Sequence, residues 1–233
     1  MSVCYIVGAG DCRETLSPAA GDFVIAADGG QAHLSRMGVL PDLILGDFDS
    51  SAAPPSGDIV RFSPIKDDTD MALAVRAGAE RGYRRFCLLG GMGGTRTDHT
   101  VANFQLLLSC AAQGLAAELV GAGERARVLR NGRMTFPATA TGYLSVFAVG
   151  GAAHGVTLRG LAYPLENGTL SPDCPLGVSN AFLPGTPAAV SVSDGALLLI
   201  FRAPFGGRAD EFSPVPPADR ADDTAPVPGA RKE

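Results

Sequence analysis

The sequence predicts an α/β fold class, with an α/β half followed by an all-β half. Over about the first 120 residues, short apolar runs alternate with segments of helical periodicity, a pattern typical of a sheet covered by helices. Beyond about residue 125 the apolar runs are separated by Gly, Pro and Asn, which is typical of strands joined by turns. With 233 residues and 46% hydrophobic content, the chain is long enough to bury a sizeable core.

The apolar runs and the helical spacing predict individual elements of the first half. Strands are predicted at residues 3–7, 23–27, 43–45, 59–62, 85–89 and 117–120. Helices are predicted at residues 31–37, 69–81 and 98–113. In the second of these helices Met71, Val75 and Ala79 fall on one face, which we expect to pack on the sheet.

The second half predicts a small all-β domain and then a tail. Strands are predicted at residues 143–149, 156–158, 188–192 and 196–201. From residue 204 onward proline and charged residues replace the apolar pattern, so burial cannot offset the entropy of ordering. We expect residues 204–233 to be a proline-rich disordered tail.

Charge and cysteine content argue against several classes of protein. A net charge of −5 argues against binding of nucleic acid, which needs clustered Lys and Arg. The five scattered cysteines form neither a CxxC pair nor a zinc spacing, and indicate reduced thiols. No basic segment precedes the first apolar run, and Gln113 and Glu118 interrupt the weakly polar stretch at residues 106–123. We therefore expect no membrane span and a cytoplasmic location.

Two acidic clusters directly follow predicted strands, where open α/β sheets bind ligands. In Asp28-Gly29-Gly30 the glycines permit close approach of a phosphate, and the carboxylate can bond a ribose hydroxyl or a metal-bound water. A tight turn with a helix cap explains this cluster equally well. In the second cluster Asp47 and Asp49 project to the same side and could ligate one Mg²⁺, although a solvated acidic turn is the alternative.

A third cluster, residues 66–70, opens the second predicted helix. Thr69 or Asp68 can cap this helix, and the helix dipole favours acids in its first turn. That explanation does not cover Lys66, which could neutralise a phosphate oxygen while Asp70 supplies a third metal ligand.

The fourth cluster is the glycine-rich turn at residues 90–99. It predicts backbone N–H groups exposed at a helix N-terminus, and Arg96 adds a bidentate phosphate donor. The role of His99 beside Asp98 is open between capping and catalysis. Gly8-Ala9-Gly10 is only part of a dinucleotide fingerprint and does not predict NAD, while the isolated His33 is interpreted as a surface or packed residue.

In this order, the clusters resemble the motifs of the thiamine pyrophosphokinase family. The shared motifs are Ala27-Asp28-Gly29-Gly30, Pro41-Asp42 with residues 46–50, residues 66–70, Asp98-His99 with Ala102-Asn103, and Gly177-Val178-Ser179-Asn180. The match covers about residues 3–201, and five short motifs in sequence are specific. The chain departs from the family pattern at Thr95, which separates the glycines from Arg96, and at Ala181.

The resemblance implies a fold, an activity and partners. It implies a Rossmann-like α/β domain with a mainly parallel sheet at residues 1–125, which binds nucleotide and metal. A β-sandwich domain at residues 126–203 would bind thiamine. The implied activity is transfer of the diphosphoryl group of ATP to the hydroxyl of thiamine, by a homodimer whose active sites lie between subunits.

The resemblance also implies roles for single residues. It implies that Mg²⁺ is held by the catalytic carboxylates Asp47, Asp49 and Asp70. It implies ATP contacts at Asp28, Gly29, Gly30, Lys66, Asp67, Thr69 and Arg96. It implies thiamine contacts at Asp98, His99, Ser179 and Asn180, the last two from the partner subunit. Diphosphoryl transfer needs positioning and charge neutralisation rather than a covalent nucleophile, which suits these residues.

Two alternatives share much of this site. A diphosphokinase for another alcohol, such as a hydroxymethylpterin, would use the same ATP and metal residues. A non-catalytic protein that binds thiamine or a nucleotide would keep the pocket without turnover. Asp98-His99 and Ser179-Asn180 favour thiamine, because they lie outside the expected phosphate region.

Overall fold

A computed structural model describes residues 2–46, 58–61, 68–203 and 206. The elements of its first half are β1 Cys4–Val7, β2 Phe23–Ala27, α1 Gly30–Met37, β3 Leu43–Gly46, β4 Asp58–Arg61, α2 Asp70–Glu80, β5 Arg85–Leu89, α3 Thr97–Ala112 and β6 Ala116–Gly121. Those of its second half are β7 Glu124–Phe136, β8 Tyr143–Ala148, β9 Ala153–Arg159, β10 Leu165–Leu170, β11 Asn180–Ala181 and β12 Ala188–Arg202.

Strands β1 to β6 form a parallel sheet with helices on both faces. Their spatial order is β6-β5-β1-β2-β3-β4, so β1 lies between β5 and β2. Buried residues of α2 and α3 pack on one face, and Leu34 of α1 packs on the other. This arrangement confirms the predicted α/β fold class. Because parallel strands end at one edge, the turns after β1, β2 and β5 meet there.

The second half is antiparallel and continues the same sheet. Strand β7 pairs with β6, and β12 pairs with β7 along nearly its whole length. The other side of β12 pairs first with β9 and then with β8. Residues of β7 and β12 also join the core under α2 and α3. The predicted domain boundary at residue 125 therefore lies within a continuous sheet, and the division into domains stays a prediction.

The sequence predicted the elements unevenly. Strands β2 and β5 have the predicted bounds, and α1, α2 and α3 begin and end within one residue of theirs. Strand β7 was missed, because four arginines interrupt its apolar pattern. The two strands predicted at residues 188–201 are one strand, whose register shifts between Val192 and Ala196. In the described part of the chain no helix is long and apolar enough to cross a membrane.

A buried charge cluster lies where the parallel and antiparallel halves join. Glu118 of β6 accepts hydrogen bonds from Arg125, at 3.4 Å, and from Nε of Arg127, at 3.2 Å. All three residues are at most 5% exposed. A buried charge is tolerated when an opposite charge and hydrogen bonds compensate its lost hydration. The shared carboxylate therefore accounts for two arginines of β7 lying in the interior.

We expect Glu118→Gln to lower the free energy of unfolding by at least about 3 kcal/mol, because it leaves buried arginines without their counter-charge. Urea unfolding followed by circular dichroism measures this. The control is Glu80→Ala, at the exposed end of α2, which should change the free energy by less than about 0.5 kcal/mol. Equal small losses in the two variants would contradict this account of the cluster.

Candidate active site

A pocket of about 400 Å³ lies at the carboxyl edge of the parallel strands. Its wall consists of the turn after β1, the end of β2, the glycine-rich turn after β5 and the first turns of α2 and α3. Three of the four clusters that the sequence singled out contribute to it. In the remaining cluster Asp47 and Asp49 lie outside the described residues, as do Lys66 and Asp67 of the third cluster.

The turns after β1 and β5 contact each other through their backbones. The amide of Gly8 donates to the Leu89 carbonyl at 2.8 Å, and the amide of Gly10 donates to the Gly90 carbonyl at 3.0 Å. A Cβ at Gly10 would lie 2.6 Å from the Gly90 oxygen, and one at Gly90 would lie 2.5 Å from the Gly8 oxygen. Only glycine fits at such distances. The two turns can therefore approach each other because neither Gly10 nor Gly90 has a side chain.

Helix α1 begins against the same turns. A Cβ at Gly30, its first residue, would lie 1.8 Å from the Val7 oxygen, which makes glycine obligatory. Asp28 lines the pocket and has a φ of 52°, a left-handed conformation that Asp tolerates better than most residues. Gly29 and Gly30 are not themselves part of the pocket wall, so in this structure they place Asp28.

The first turn of α2 supplies a second carboxylate. Thr69 caps the helix, since its Oγ1 accepts a hydrogen bond from the Ala72 amide at 3.2 Å. Thr69 and the following Asp70 both line the pocket. Asp68 instead forms an ion pair with Arg76. Of the two residues that the sequence offered as caps, the structure uses Thr69.

Arg96 and Asp98 are bonded to each other at the start of α3. The guanidinium donates from Nε at 3.0 Å and from Nη2 at 2.7 Å to the two carboxylate oxygens. These bonds lower the pKa of Asp98 to about 2, so it is charged at neutral pH. Arg96 and His99 line the pocket, whereas Asp98 lies beside it. Arg96, which was predicted to contact ATP, thus forms a bidentate ion pair with Asp98, which was predicted to contact thiamine.

Several pocket residues were not among the predicted site residues. The buried Asn103 of α3 donates from Nδ2 to the Gly91 carbonyl at 2.7 Å and so fixes the glycine-rich turn. Asp11 and the Gly8-Ala9-Gly10 turn also line the pocket. The glycine pair after the first strand is the signal in the sequence that marks this part of the pocket.

Ser179 and Asn180 lie in the β half, away from this pocket. Asn180 is buried, and its amide accepts from the Tyr163 N–H at 2.9 Å and donates to the Tyr163 carbonyl at 2.7 Å. Ser179 is exposed with a φ of 58°, and its amide donates to Oγ of Ser145 at 3.0 Å. Within one chain they are not brought to the pocket, and their contact with thiamine stays a prediction.

The donor set of the pocket is compatible with a hard divalent cation. Asp28 and Asp70 both line it, and carboxylate oxygens are preferred ligands of Mg²⁺. Among the residues that the structure covers, no three His, Cys, Asp or Glu side chains form a metal-binding group. Of the three predicted ligands only Asp70 is described, so the Mg²⁺ site stays a prediction.

Gly90 and Gly93 provide a matched test of the backbone contact. Both have a left-handed φ, of 65° and 80°, but a Cβ at Gly93 would meet nothing within 4 Å. We expect Gly93→Ala to cost about 1–2 kcal/mol of unfolding free energy, from the backbone conformation alone. Gly90→Ala should cost a further 1–3 kcal/mol or so, because its Cβ overlaps the Gly8 carbonyl. Thermal and urea unfolding measure both, and equal losses would show that the close approach has no energetic weight.

Comparison with known proteins finds two family models on this chain. The thiamin pyrophosphokinase catalytic domain matches residues 18–119, and the thiamin pyrophosphokinase vitamin B1 binding domain matches residues 133–197. The thiamine pyrophosphokinase of Bacillus subtilis (strain 168) is 27% identical over 184 residues, which are 76% of this chain and 85% of that protein.

Solved structures agree with the family models. The crystal structure of thiamin pyrophosphokinase from Geobacillus thermodenitrificans has a TM-score of 0.73 and 29% identity, covering 88% of this chain and 100% of that one. The crystal structure of the Bacillus subtilis protein has a TM-score of 0.76 over 87% of this chain and 99% of that one, and at 23% identity it shows the shared fold. The chain is therefore a member of the thiamine pyrophosphokinase family.

Proposed function

We propose that this protein is a thiamine diphosphokinase, which transfers the diphosphoryl group of ATP to the hydroxyl of thiamine and releases AMP. The observation that carries the proposal is the succession of the catalytic and vitamin B1 binding models along one chain. The pocket lies in the segment that the catalytic model matches, apart from the turn after β1.

The ATP phosphates are proposed to lie against the glycine turns of the pocket. Peptide N–H groups of glycine-rich turns bind anions, and the positive ends of α2 and α3 favour negative charge. Arg96 offers a guanidinium, whose orientation Asp98 sets. These groups would bind and orient the triphosphate before reaction, so no side chain has to form a covalent intermediate.

A divalent cation is proposed to bind at the acidic side of the pocket. Asp28 and Asp70 carry charge of the same sign as a triphosphate, and repulsion at short range is strong where water is partly excluded. We propose Asp70 as a Mg²⁺ ligand together with Asp47 and Asp49. The bound ion would neutralise charge on the phosphate oxygens. The Thr69 cap holds the first turn of α2, and with it Asp70, in a fixed position.

Thiamine is proposed to bind between two copies of the chain. Asp98 and His99 would contact it from one subunit, and Ser179 and Asn180 of the partner subunit from the other. Exposed apolar side chains surround the Ser179 motif, since Tyr163, Leu176 and Val178 are 71%, 69% and 52% exposed. Apolar patches of this kind are typical of surfaces that become buried on association, which supports a homodimer.

The domain descriptions and the cellular location are likewise proposals. We propose a Rossmann-like domain at residues 1–125 and a thiamine-binding β-sandwich at residues 126–203. The order of the two family models, at residues 18–119 and 133–197, supports such a division. A separate apolar core within β7 to β12 supports the second unit. A cytoplasmic location is supported by the unpaired thiols, four buried and one exposed, since a reducing compartment keeps thiols free.

A direct assay tests the reaction. Purified protein is incubated with ATP, Mg²⁺ and either thiamine or a hydroxymethylpterin, and the nucleotide and diphosphate products are separated. We expect AMP and thiamine diphosphate. Diphosphorylation of the pterin alone would replace the substrate, ADP would indicate transfer of a single phosphoryl group, and thiamine binding without turnover would indicate a sensor.

Asp70 and Asp68 provide a matched pair for the metal proposal. Asp70→Asn removes a carboxylate from the pocket, and we expect kcat/KM to fall at least about 100-fold, since charge neutralisation by a metal is worth several kcal/mol. Asp68→Asn, two residues away, removes a carboxylate that pairs with Arg76 outside the pocket, and should retain activity within about 3-fold. Similar activities for the two variants would refute Asp70 as a ligand.

A further inference from the structure

One face of α1 contacts the turn after β1 along its length. A Cβ at the Gly29 cap would lie 3.0 Å from the Ala9 Cβ. Nε2 of His33 lies 2.8 Å from the Gly10 carbonyl oxygen, and Nη2 of Arg36 donates to the Cys12 carbonyl. Positions 29, 33 and 36 are four and then three residues apart, so they fall on one side of a helix. Successive parts of the turn are therefore held by successive turns of α1.

The contact between His33 and the Gly10 carbonyl fixes the peptide group that joins Gly10 to Asp11, at the edge of the pocket. Gly10 and Asp11 both line the pocket, whereas His33 does not. The Gly10 carbonyl and the Asp11 N–H belong to one planar peptide and point in opposite directions. Since His33 draws the carbonyl toward α1, the Asp11 N–H is directed away from α1. Without this hold, rotation of the peptide would let its carbonyl present negative charge to the pocket.

The chemistry of this bond defines which side chains can form it. A carbonyl oxygen only accepts hydrogen bonds, so Nε2 of His33 must carry the hydrogen. The amide nitrogen of Gln lies at about the same distance from the backbone as Nε2 and can also donate. Asn is one methylene shorter and does not reach.

We propose that His33 is a positioning residue for the phosphates of the nucleotide, acting through the Gly10–Asp11 peptide. The proposal rests on the proposed function in so far as that function places a nucleotide in this pocket. The amide of Gly10 is already bonded to Gly90, so the His33 bond completes the fixing of the turn on its carbonyl side. The imidazole itself does not line the pocket, so it would act only through this peptide.

Nucleotide binding to His33 variants tests the proposal without turnover. The Kd of ADP is measured by calorimetry in the absence of thiamine. Loss of one hydrogen bond that orients the peptide should weaken binding about 3- to 10-fold in His33→Ala and His33→Asn. His33→Gln should bind within about 2-fold of the unchanged protein, by the same reasoning. Ser35→Ala, at an exposed position of the same helix, is the control.

Steady-state kinetics separate positioning from general loss of structure. We expect His33→Asn to raise the KM for ATP and to leave the KM for thiamine unchanged, with His33→Gln restoring the KM for ATP. Urea unfolding of each variant checks its fold, and the Gln and Asn variants are compared with each other if His33→Ala does not fold.

Three results would overturn the inference: unchanged ADP binding in His33→Ala and His33→Asn, failure of His33→Gln to restore binding, or no ADP binding by the unchanged protein. A different result would contradict the proposed function. A protein that binds ADP but forms no thiamine diphosphate would contradict the reaction, while the ratio of Kd values would still decide the role of His33.

Discussion

The pocket depends on direct backbone contact among the turns that follow the parallel strands. Gly10 and Gly90 meet at the ends of β1 and β5, and Gly30 meets the end of β1 from α1, at distances that leave no room for a Cβ. Glycine turns held at the ends of the sheet strands consequently form part of the pocket wall. Groups fixed before a ligand arrives need no reorganisation when it binds, which is how polar sites stabilise charge efficiently. The glycines thus shape the pocket by letting these backbones approach each other closely.

Charged groups of both signs also determine which ligands the pocket can bind. Asp28 and Asp70 give the pocket negative charge, while the glycine turns and helix N-termini favour anions. Arg96 is already engaged by Asp98, so its charge does not act alone. This balance supports the proposal that negative phosphates bind here together with a cation. The composition of the pocket therefore adds a physical argument for the proposed chemistry to the family assignment.

The sequence predicted those features that depend on local pattern. Apolar runs placed β2 and β5, and helical spacing placed α1 to α3, because both patterns are read within one element. Strand β7 was not predicted, because two of its four arginines, Arg125 and Arg127, are buried against Glu118 on another strand. The pocket role of Asp11 was not predicted either, because it follows from β1 and β5 being neighbours in space. The role of Asn103 was not predicted because its bond to the Gly91 carbonyl depends on how α3 packs against the turn after β5. The isolated His33 gave no local signal of its contact with Gly10.

Strand β12 has a consequence for how the protein is made. It pairs with β7 on one side and with β9 and then β8 on the other. Until the ribosome has released residues 188–202, each of those three strands has one bare edge, and bare edges recruit strands from other chains. A premature stop codon or a protease cut ahead of Ala188 would therefore not yield a smaller working protein. It would yield an incomplete chain with bare strand edges, which tends to aggregate.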